Sequence, residues 1–329
     1  MKPVQAALPL DVAIVTVTYN CQNFIEDFLT SVHQQLLLAS PAMLLVIVDN
    51  ASSDNTVALI NRFINAHDLH GKVVLLPQDE NLGFGTGCNV GVDAAENFDP
   101  EFYWFLNPDT RIFRDTAAEL IKFFRANPSA DFVGSQLVDE RHVARPSAFR
   151  FPSCVSEFCR TLRLGFVDRM LPRGQLAIPV SNKPHRADWL TGASFMVKSG
   201  VFQRLDGFDP AFFLYFEEVD LFYRAKQQGF TCWFNPGSKV YHFAGASTGI
   251  SSSRKAVKRR PQYWFDSRRY FYCKNYGGAY FALCDLAAMT GLCLWKLRTI
   301  LQHKDSGDPP GLLKDLASNS LFAWRTQRH

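Results

Sequence analysis

The segment Phe213–Arg224, FLYFEEVDLFYR, sets three carboxylates, Glu217, Glu218 and Asp220, among aromatic and leucine side chains. Acids crowded beside apolar groups raise one another's pKa, because burial disfavours the charged form and like charges repel. A group tuned in this way suits a general base working near neutral pH. Acids here also complement the dipole at a helix N-terminus, and the two roles are compatible. Gly207-Phe208-Asp209-Pro210 just upstream reads as a turn that presents the segment. A further carboxylate, Asp109, ends an apolar run in WFLNPDT. There it could reach a divalent cation bridging two phosphates, since Mg²⁺ and Mn²⁺ prefer oxygen ligands, or it could serve only as a turn residue. His242, in YHFAG, follows another short apolar patch and is open to the same two readings, ligand or structural.

Regular elements must bring these groups together. Asp11–Thr18 is a continuous β-branched run, as expected of a strand covered on both faces. Phe24, Ile25, Phe28, Leu29 and Val32 then fall at helical spacing, with Asn23 placed to cap. Leu44–Val48 is a second apolar strand, and Ser52, Ser53 and Asp54 offer caps for a helix carrying Val57, Ile60, Phe63 and Ile64. Val73–Leu76 and Tyr103–Leu106 make two more strands, with a glycine-rich loop over Asn81–Gly91 between them. The alternation predicts an α/β fold with a doubly wound, mostly parallel sheet. In such sheets ligands bind beyond the carboxyl ends of the strands. Thr18-Tyr19-Asn20, Asp49-Asn50, Asn81-Leu82-Gly83 and Asn107-Pro108-Asp109 all stand at predicted strand ends. The loop ENLGFGTGCNVG is not a dinucleotide fingerprint, because its third Gly comes too early and it follows the third strand. Pro146–Arg186, with its prolines and basic residues, reads as a loop-rich connection.

The 329 residues are 47% hydrophobic and 20% charged, which predicts a packed core and excludes wholesale disorder. The net charge of +4 hides an asymmetry: residues 1–250 carry 21 Lys/Arg against 26 Asp/Glu, residues 251–329 carry 14 against 5. No secretory signal is expected, and the eight cysteines show no zinc spacing, so reduced thiols in a cytoplasmic protein are expected. Ala279–Leu294 is apolar for 16 residues around Asp285, short of the roughly 18–20 needed to span a bilayer. It reads as a helix buried in the protein or lying in an interface. The basic tail interleaves Arg254, Lys255, Lys258, Arg259, Arg260, Arg268 and Arg269 with Tyr263, Trp264 and Phe265. We read it as a surface for anionic headgroups on the inner face of the cell membrane, rather than for nucleic acid.

VTVTYN, VDNASSDNT, ENLGFGTGCNVG, FLNPDT, the stretch WLTGASFMVKSGVFQRLDGFDPAFFLYFEEVDLFYRAKQQG, and VYHFAG run in this order from about residue 11 to 245. Together they resemble a family 2 glycosyltransferase of GT-A fold, of the bacterial rhamnosyltransferase-like branch. The resemblance implies an inverting transfer, assisted by Mg²⁺ or Mn²⁺, from a nucleotide-diphosphate sugar to a saccharide or lipid-linked saccharide in cell-surface polysaccharide synthesis. Rhamnose from dTDP-rhamnose is the first choice. It implies a catalytic domain over 1–250, with a donor half to about 110 and an acceptor half beyond, and a basic helical region over 251–329. Thr18, Tyr19, Asn20, Asp49, Asn81, Gly83, Asn89 and Asp109 would border the donor. Trp189, Gly192 and Ala193 would shape the acceptor side, and His242 would join Asp109 at the metal or diphosphate. Glu218 falls where most members carry the catalytic Asp, so the base is Glu218, with Glu217 or Asp220 as alternative or supporting acids. The departure from Asp keeps a non-catalytic nucleotide-sugar module as the alternative.

Overall fold

The computed structural model describes residues 10–38, 40–243, 258–321 and 323. The first half alternates strand and helix: β1 (Val12–Thr18), α1 (Ile25–Leu36), β2 (Met43–Asp49), α2 (Thr56–Ala66), β3 (Val73–Pro77), α3 (Phe84–Glu96) and β4 (Phe102–Leu106). Next come β5 (Thr110–Ile112), α4 (Thr116–Ala126), β6 (Phe132–Val138), β7 (Ala148–Phe149), α5 (Cys154–Leu162) and α6 (Gly165–Met170). Then follow β8 (His185–Arg186), β9 (Trp189–Leu190), β10 (Ser194–Lys198), α7 (Ser199–Arg204), α8 (Glu217–Gln227) and β11 (Cys232–His242). The chain closes with α9 (Gln262–Tyr276), α10 (Gly278–Leu301) and α11 (Leu312–Ser318).

The main sheet runs β3-β2-β1-β4-β10-β6-β11-β5, with β8 on β11. Pairing is parallel from β3 to β4 and between β6 and β11, while β10, β5 and β8 run against their neighbours. Every residue of β1, β2 and β4 is buried, which explains their unbroken apolar runs. One face packs under Phe28 of α1, Ile60 of α2 and Leu120 of α4. The other packs under Val92 of α3, Phe202 of α7 and Phe222 of α8. The expected doubly wound α/β architecture is the one observed, with antiparallel strands confined to the second half.

Local expectations needed revision at four places. Asn23 does not cap α1, whose N-cap is Phe24 with no side-chain bond. Nor do Ser52, Ser53 or Asp54 hold the N-cap of α2, which falls to Asn55, although Asp54 accepts from the Thr56 N–H at 3.0 Å. Most of the glycine-rich stretch is helix rather than loop. A Cβ on Gly91 would lie 2.6 Å from Val15 Cγ1, so the small residues of α3 let it sit close on β1. Pro146–Arg186 contains α5, a helix opened by a reciprocal Ser153–Ser156 capping box that the prolines and basic residues around it obscured.

The helix predicted from Ala279–Leu294 is longer than its apolar core, reaching 24 residues and Leu301. By length and composition it could cross a membrane. Its inner face instead packs on the protein, where Asp285 pairs with Arg268 of α9 at 2.6 Å. Phe271 and Tyr272 of α9 and Phe281 and Cys284 of α10 share a core with Phe212 and Val219, the latter in α8. The boundary expected at 250–251, with Arg254 and Lys255, lies outside the described residues.

Candidate active site

The strand ends meet as the parallel half of the sheet dictates. Val17 near the end of β1 and Tyr19 just after it, Asn50 after β2, Asn81 and Gly83 before α3, and Asn107 and Pro108 after β4 line one cavity of about 250 Å³. Thr191, Gly192 and Ala193 before β10, Glu217 and Glu218 at the head of α8, and His242 at the end of β11 close it. A larger, open depression of about 790 Å³ lies around Arg150, Arg173 and Lys226 and contains neither of these glutamates.

The wall is fixed by polar side chains of the strand ends. Asn50 donates to the Gly83 carbonyl at 2.9 Å, and the Gly83 N–H donates to Asn81 Oδ1 at 3.0 Å. Gly83 is required: its φ is +81°, and a Cβ there would stand 2.0 Å from the Phe213 carbonyl oxygen. Behind the wall, Asp49 accepts from the Thr18 hydroxyl at 2.7 Å and from the Ser52 hydroxyl and N–H at 2.6 and 2.9 Å. Asn20 holds the loop after β2 by accepting from the Ser53 N–H at 2.8 Å. Asn89 is engaged away from the cavity, donating to the Phe208 carbonyl and accepting from its N–H. It braces the turn before α8.

Tyr215 and Phe216, both at φ near +70°, swing the chain into α8. Non-glycine residues at such angles are strained by about 1–3 kcal/mol each and persist where the surroundings over-determine them. The result puts Glu217 and Glu218 at the cavity, hydrogen-bonded to each other. Burial, and then the charge of Glu218, push the Glu217 carboxyl well above the usual carboxylate range. Burial raises Glu218 as well, opposed by hydrogen bonds from its own backbone, from Glu217 and from the Gly192 N–H. Both carboxyls are thus raised and titrate as a pair, Glu217 the more strongly raised of the two. Asp220 is placed differently. Its carboxylate accepts from Lys274 and Arg224 at 2.8 Å and from Asn275 at 2.9 Å, fastening α8 to the C-terminal helices.

Antiparallel pairing of β5 with β11 sets His242 opposite Thr110, so its Nε2 comes 3.4 Å from Asp109 Oδ1. Two donors that close can occupy neighbouring positions on one small divalent ion, whose ligand bonds are about 2.1 Å long. One carboxylate and one imidazole leave the remaining positions for phosphate oxygens and water. Among the described residues no cluster of three or more His, Cys, Asp or Glu forms a closed metal cage.

Three polar atoms of cavity-lining residues, Asn50 Oδ1, Asn107 Oδ1 and Glu217 Oε2, are buried with no hydrogen-bond partner. Buried polar atoms are nearly always paired, so such a group concentrated in one cavity points to a ligand. Asn50, Asn107, Thr191 and Tyr215 are lining residues that motif reading passed over. The first two stood in the strand-end clusters already singled out, while Thr191 and Tyr215 carry no spacing signal.

Residues 13–162 match the sequence profile of glycosyl transferase family 2. Over that segment, a little under half of its length, the chain is similar to glycosyltransferase family 2. Over 270 residues it is 28% identical to the N-acetylglucosaminyl-diphospho-decaprenol L-rhamnosyltransferase of Mycobacterium tuberculosis, covering 78% of this chain and 84% of the relative. Over 224 residues it is 23% identical to the rhamnosyltransferase WbbL of Escherichia coli, covering 61% and 83%. The fold is that of GT-A glycosyltransferases. GalNAc-T7, solved with UDP, GalNAc and Mn²⁺, superposes over 98% of this chain and 56% of its own, with 16% identity and a TM-score of 0.56. Staphylococcus aureus TarS superposes over 96% and 54%, with 15% identity and a TM-score of 0.54. The chain thus spans about half the length of those two solved chains.

Proposed function

We propose that this glycosyltransferase moves a sugar, rhamnose from dTDP-rhamnose in first place, onto a hydroxyl of a saccharide or lipid-linked saccharide with inversion at the anomeric carbon. The observation that carries the reading is the Glu217–Glu218 pair facing a cavity built from the strand ends and lined by unpaired polar atoms. Glu218 takes the proton of the acceptor hydroxyl as that oxygen forms its bond to the anomeric carbon. The bond from that carbon to the diphosphate oxygen breaks, and its electron pair leaves with the nucleoside diphosphate. Glu217 stays protonated and orients Glu218, while the Gly192 N–H fixes the carboxylate from the other side. Tyr19, Asn50, Asn81 and Gly83 border the donor, with Thr18, Asn20 and Asp49 shaping the base pocket from behind. Asp109 and His242 would hold Mg²⁺ or Mn²⁺, which when bound neutralises charge growing on the departing diphosphate.

The position on the inner face of the membrane is part of the same reading. The exposed positions of α10, among them Leu283, Leu286, Leu294, Leu297, Ile300 and Leu301, carry no charged residue and recur at helical spacing. With the excess of Lys and Arg beyond residue 250, that face supports peripheral docking on anionic lipid beside a lipid-linked acceptor. Thermal-shift measurements with dTDP-rhamnose, UDP-glucose, UDP-galactose and GDP-mannose, followed by transfer assays with the stabilising donor, test the function. dTDP-rhamnose should raise the melting temperature and be consumed with acceptor present. A donor that binds and is never turned over would favour the non-catalytic module.

A further inference from the structure

A second cavity, of about 280 Å³, opens on the other side of Glu218. Glu218 and Tyr215 line both cavities, so the carboxylate stands in their shared wall. Trp189 and Trp264 contribute aromatic side chains to the second one, Arg160 and Arg260 contribute positive charge, and Glu157 also lines it. Arg260 lies over the Trp264 ring with its guanidinium carbon 4.1 Å from the centroid, and Arg160 approaches the same ring at 5.8 Å.

The charges here are unequally matched. Arg160 pairs with Glu157 at 2.7 Å, and Glu157 also takes Arg268 at 3.3 Å and the Tyr272 hydroxyl at 3.0 Å. Arg268 pairs in turn with Asp285. Burial alone would raise Glu157, yet Arg268 and Arg160 hold its carboxyl down at about 2. Two carboxylates thus serve Arg160 and Arg268. Arg260 makes no ion pair among the described residues, and its Nε is buried without a hydrogen-bond partner. Burial, and then the like charge of Arg160, pull its guanidinium down to about 10. Glu157, which also lines the cavity, acts on Arg260 only at a distance. A half-buried arginine without an ion pair beside an open cavity is the arrangement an anionic oxygen ligand relieves, and the guanidinium fork suits phosphate and carboxylate alike.

We propose that this second cavity is the acceptor subsite, and that it selects an acceptor carrying an anionic oxygen group next to the reacting sugar, held by Arg260 and Arg160 with the sugar against Trp264 and Trp189. The inference rests on the transferase reading and adds the acceptor's chemical class to it. The anion has two sources, the diphosphate of a lipid-linked saccharide or the carboxylate of a uronic acid in a growing polymer. The acceptor hydroxyl would enter from this side and meet the donor across Glu218.

Isothermal titration calorimetry on the full chain tests it, with saturating dTDP present to fill the donor cavity. The probes are a citronellyl diphospho-N-acetylglucosamine, the neutral octyl N-acetylglucosaminide and an octyl glucuronide. At least one anionic probe should bind about ten- to a hundredfold tighter than the neutral one, the effect expected of a charge-assisted contact. The probe that gains identifies the source as diphosphate or carboxylate. Arg260→Gln should erase that preference and Arg260→Lys should keep most of it, while affinity for dTDP stays unchanged in both. Equal binding of charged and neutral probes, or a preference that survives Arg260→Gln, would overturn the subsite. Lack of sugar transfer from every nucleotide donor would instead refute the transferase reading, and the calorimetry reads the anion preference without it.

Discussion

Replacing Glu218 by Gln keeps the length and shape of the side chain and an oxygen able to accept the Gly192 N–H, but removes the basic site. No neighbouring acid is free to substitute. Asp220 is committed to Lys274 and Arg224, and Glu217 is held protonated by burial and by the charge of Glu218. A positioned general base contributes about 10²–10⁴ in rate, so kcat should fall toward the far end of that range, about 4–5 kcal/mol of barrier. Donor affinity should move by less than about threefold, because the donor wall is untouched. Initial rates at saturating donor, followed by chromatographic detection of product, give the first number, and calorimetry with the nucleotide gives the second. The wild-type profile of kcat/KM against pH supplies an independent check. Glu218 must be ionised to act and its pKa is raised, so activity should be lost on acidification at a pH above the ordinary glutamate value of about 4.3. A Glu218→Gln enzyme within about tenfold of wild type would refute the assignment, since that is less than a general base supplies.

Glu217→Gln retains a donor to Glu218 but no longer titrates. Below the unfolded glutamate pKa both states are protonated and the carboxyl imposes no cost. Above it the unfolded chain releases a proton that folded Glu217 keeps, so wild-type stability falls as pH rises toward the raised folded pKa. The melting-temperature advantage of Glu217→Gln should therefore grow between pH 4.5 and 7.5, and a constant difference would count against the buried, protonated state. Asp109→Ala should abolish binding of Mn²⁺ followed by electron paramagnetic resonance and leave an activity insensitive to EDTA; retained metal-dependent turnover would remove Asp109 from that role. Sedimentation with anionic vesicles should recover the protein and weaken with added salt, whereas equal recovery with neutral vesicles would argue against docking through α10 and the basic tail.

The parallel half of the fold was legible in the sequence because its signals are local and redundant. A strand buried on both faces must be continuously apolar, as VAIVTVT and MLLVIVD are, and each such run ends in a short polar cluster. Those clusters proved to be neighbours, so Tyr19, Asn81, Gly83, Gly192, Ala193, Glu217, Glu218 and His242 share one cavity although they are spread over more than 220 residues. Distances along the chain could not separate acids on one helix. Glu218 and Asp220 are two positions apart in α8, so one faces the cavity and the other turns toward Lys274. Trp189, assigned to the acceptor side, lines the second cavity rather than the first. Arg260 and Trp264 reach that cavity from beyond residue 250, through the packing of α9 against Phe212 and Val219, and nothing in their spacing announces it. The glycines of α3 read as a loop in the sequence, because a face of small residues on a helix looks like one until the strand beneath it is known.

The anomeric configuration of the product tests the central claim most directly. A single carboxylate taking the acceptor proton permits one displacement at the anomeric carbon and offers no second nucleophile to restore its stereochemistry. Nuclear magnetic resonance of the saccharide formed by the wild-type enzyme from dTDP-rhamnose should show a linkage opposite in configuration to that of the donor. A product that retains the donor's configuration would contradict the account.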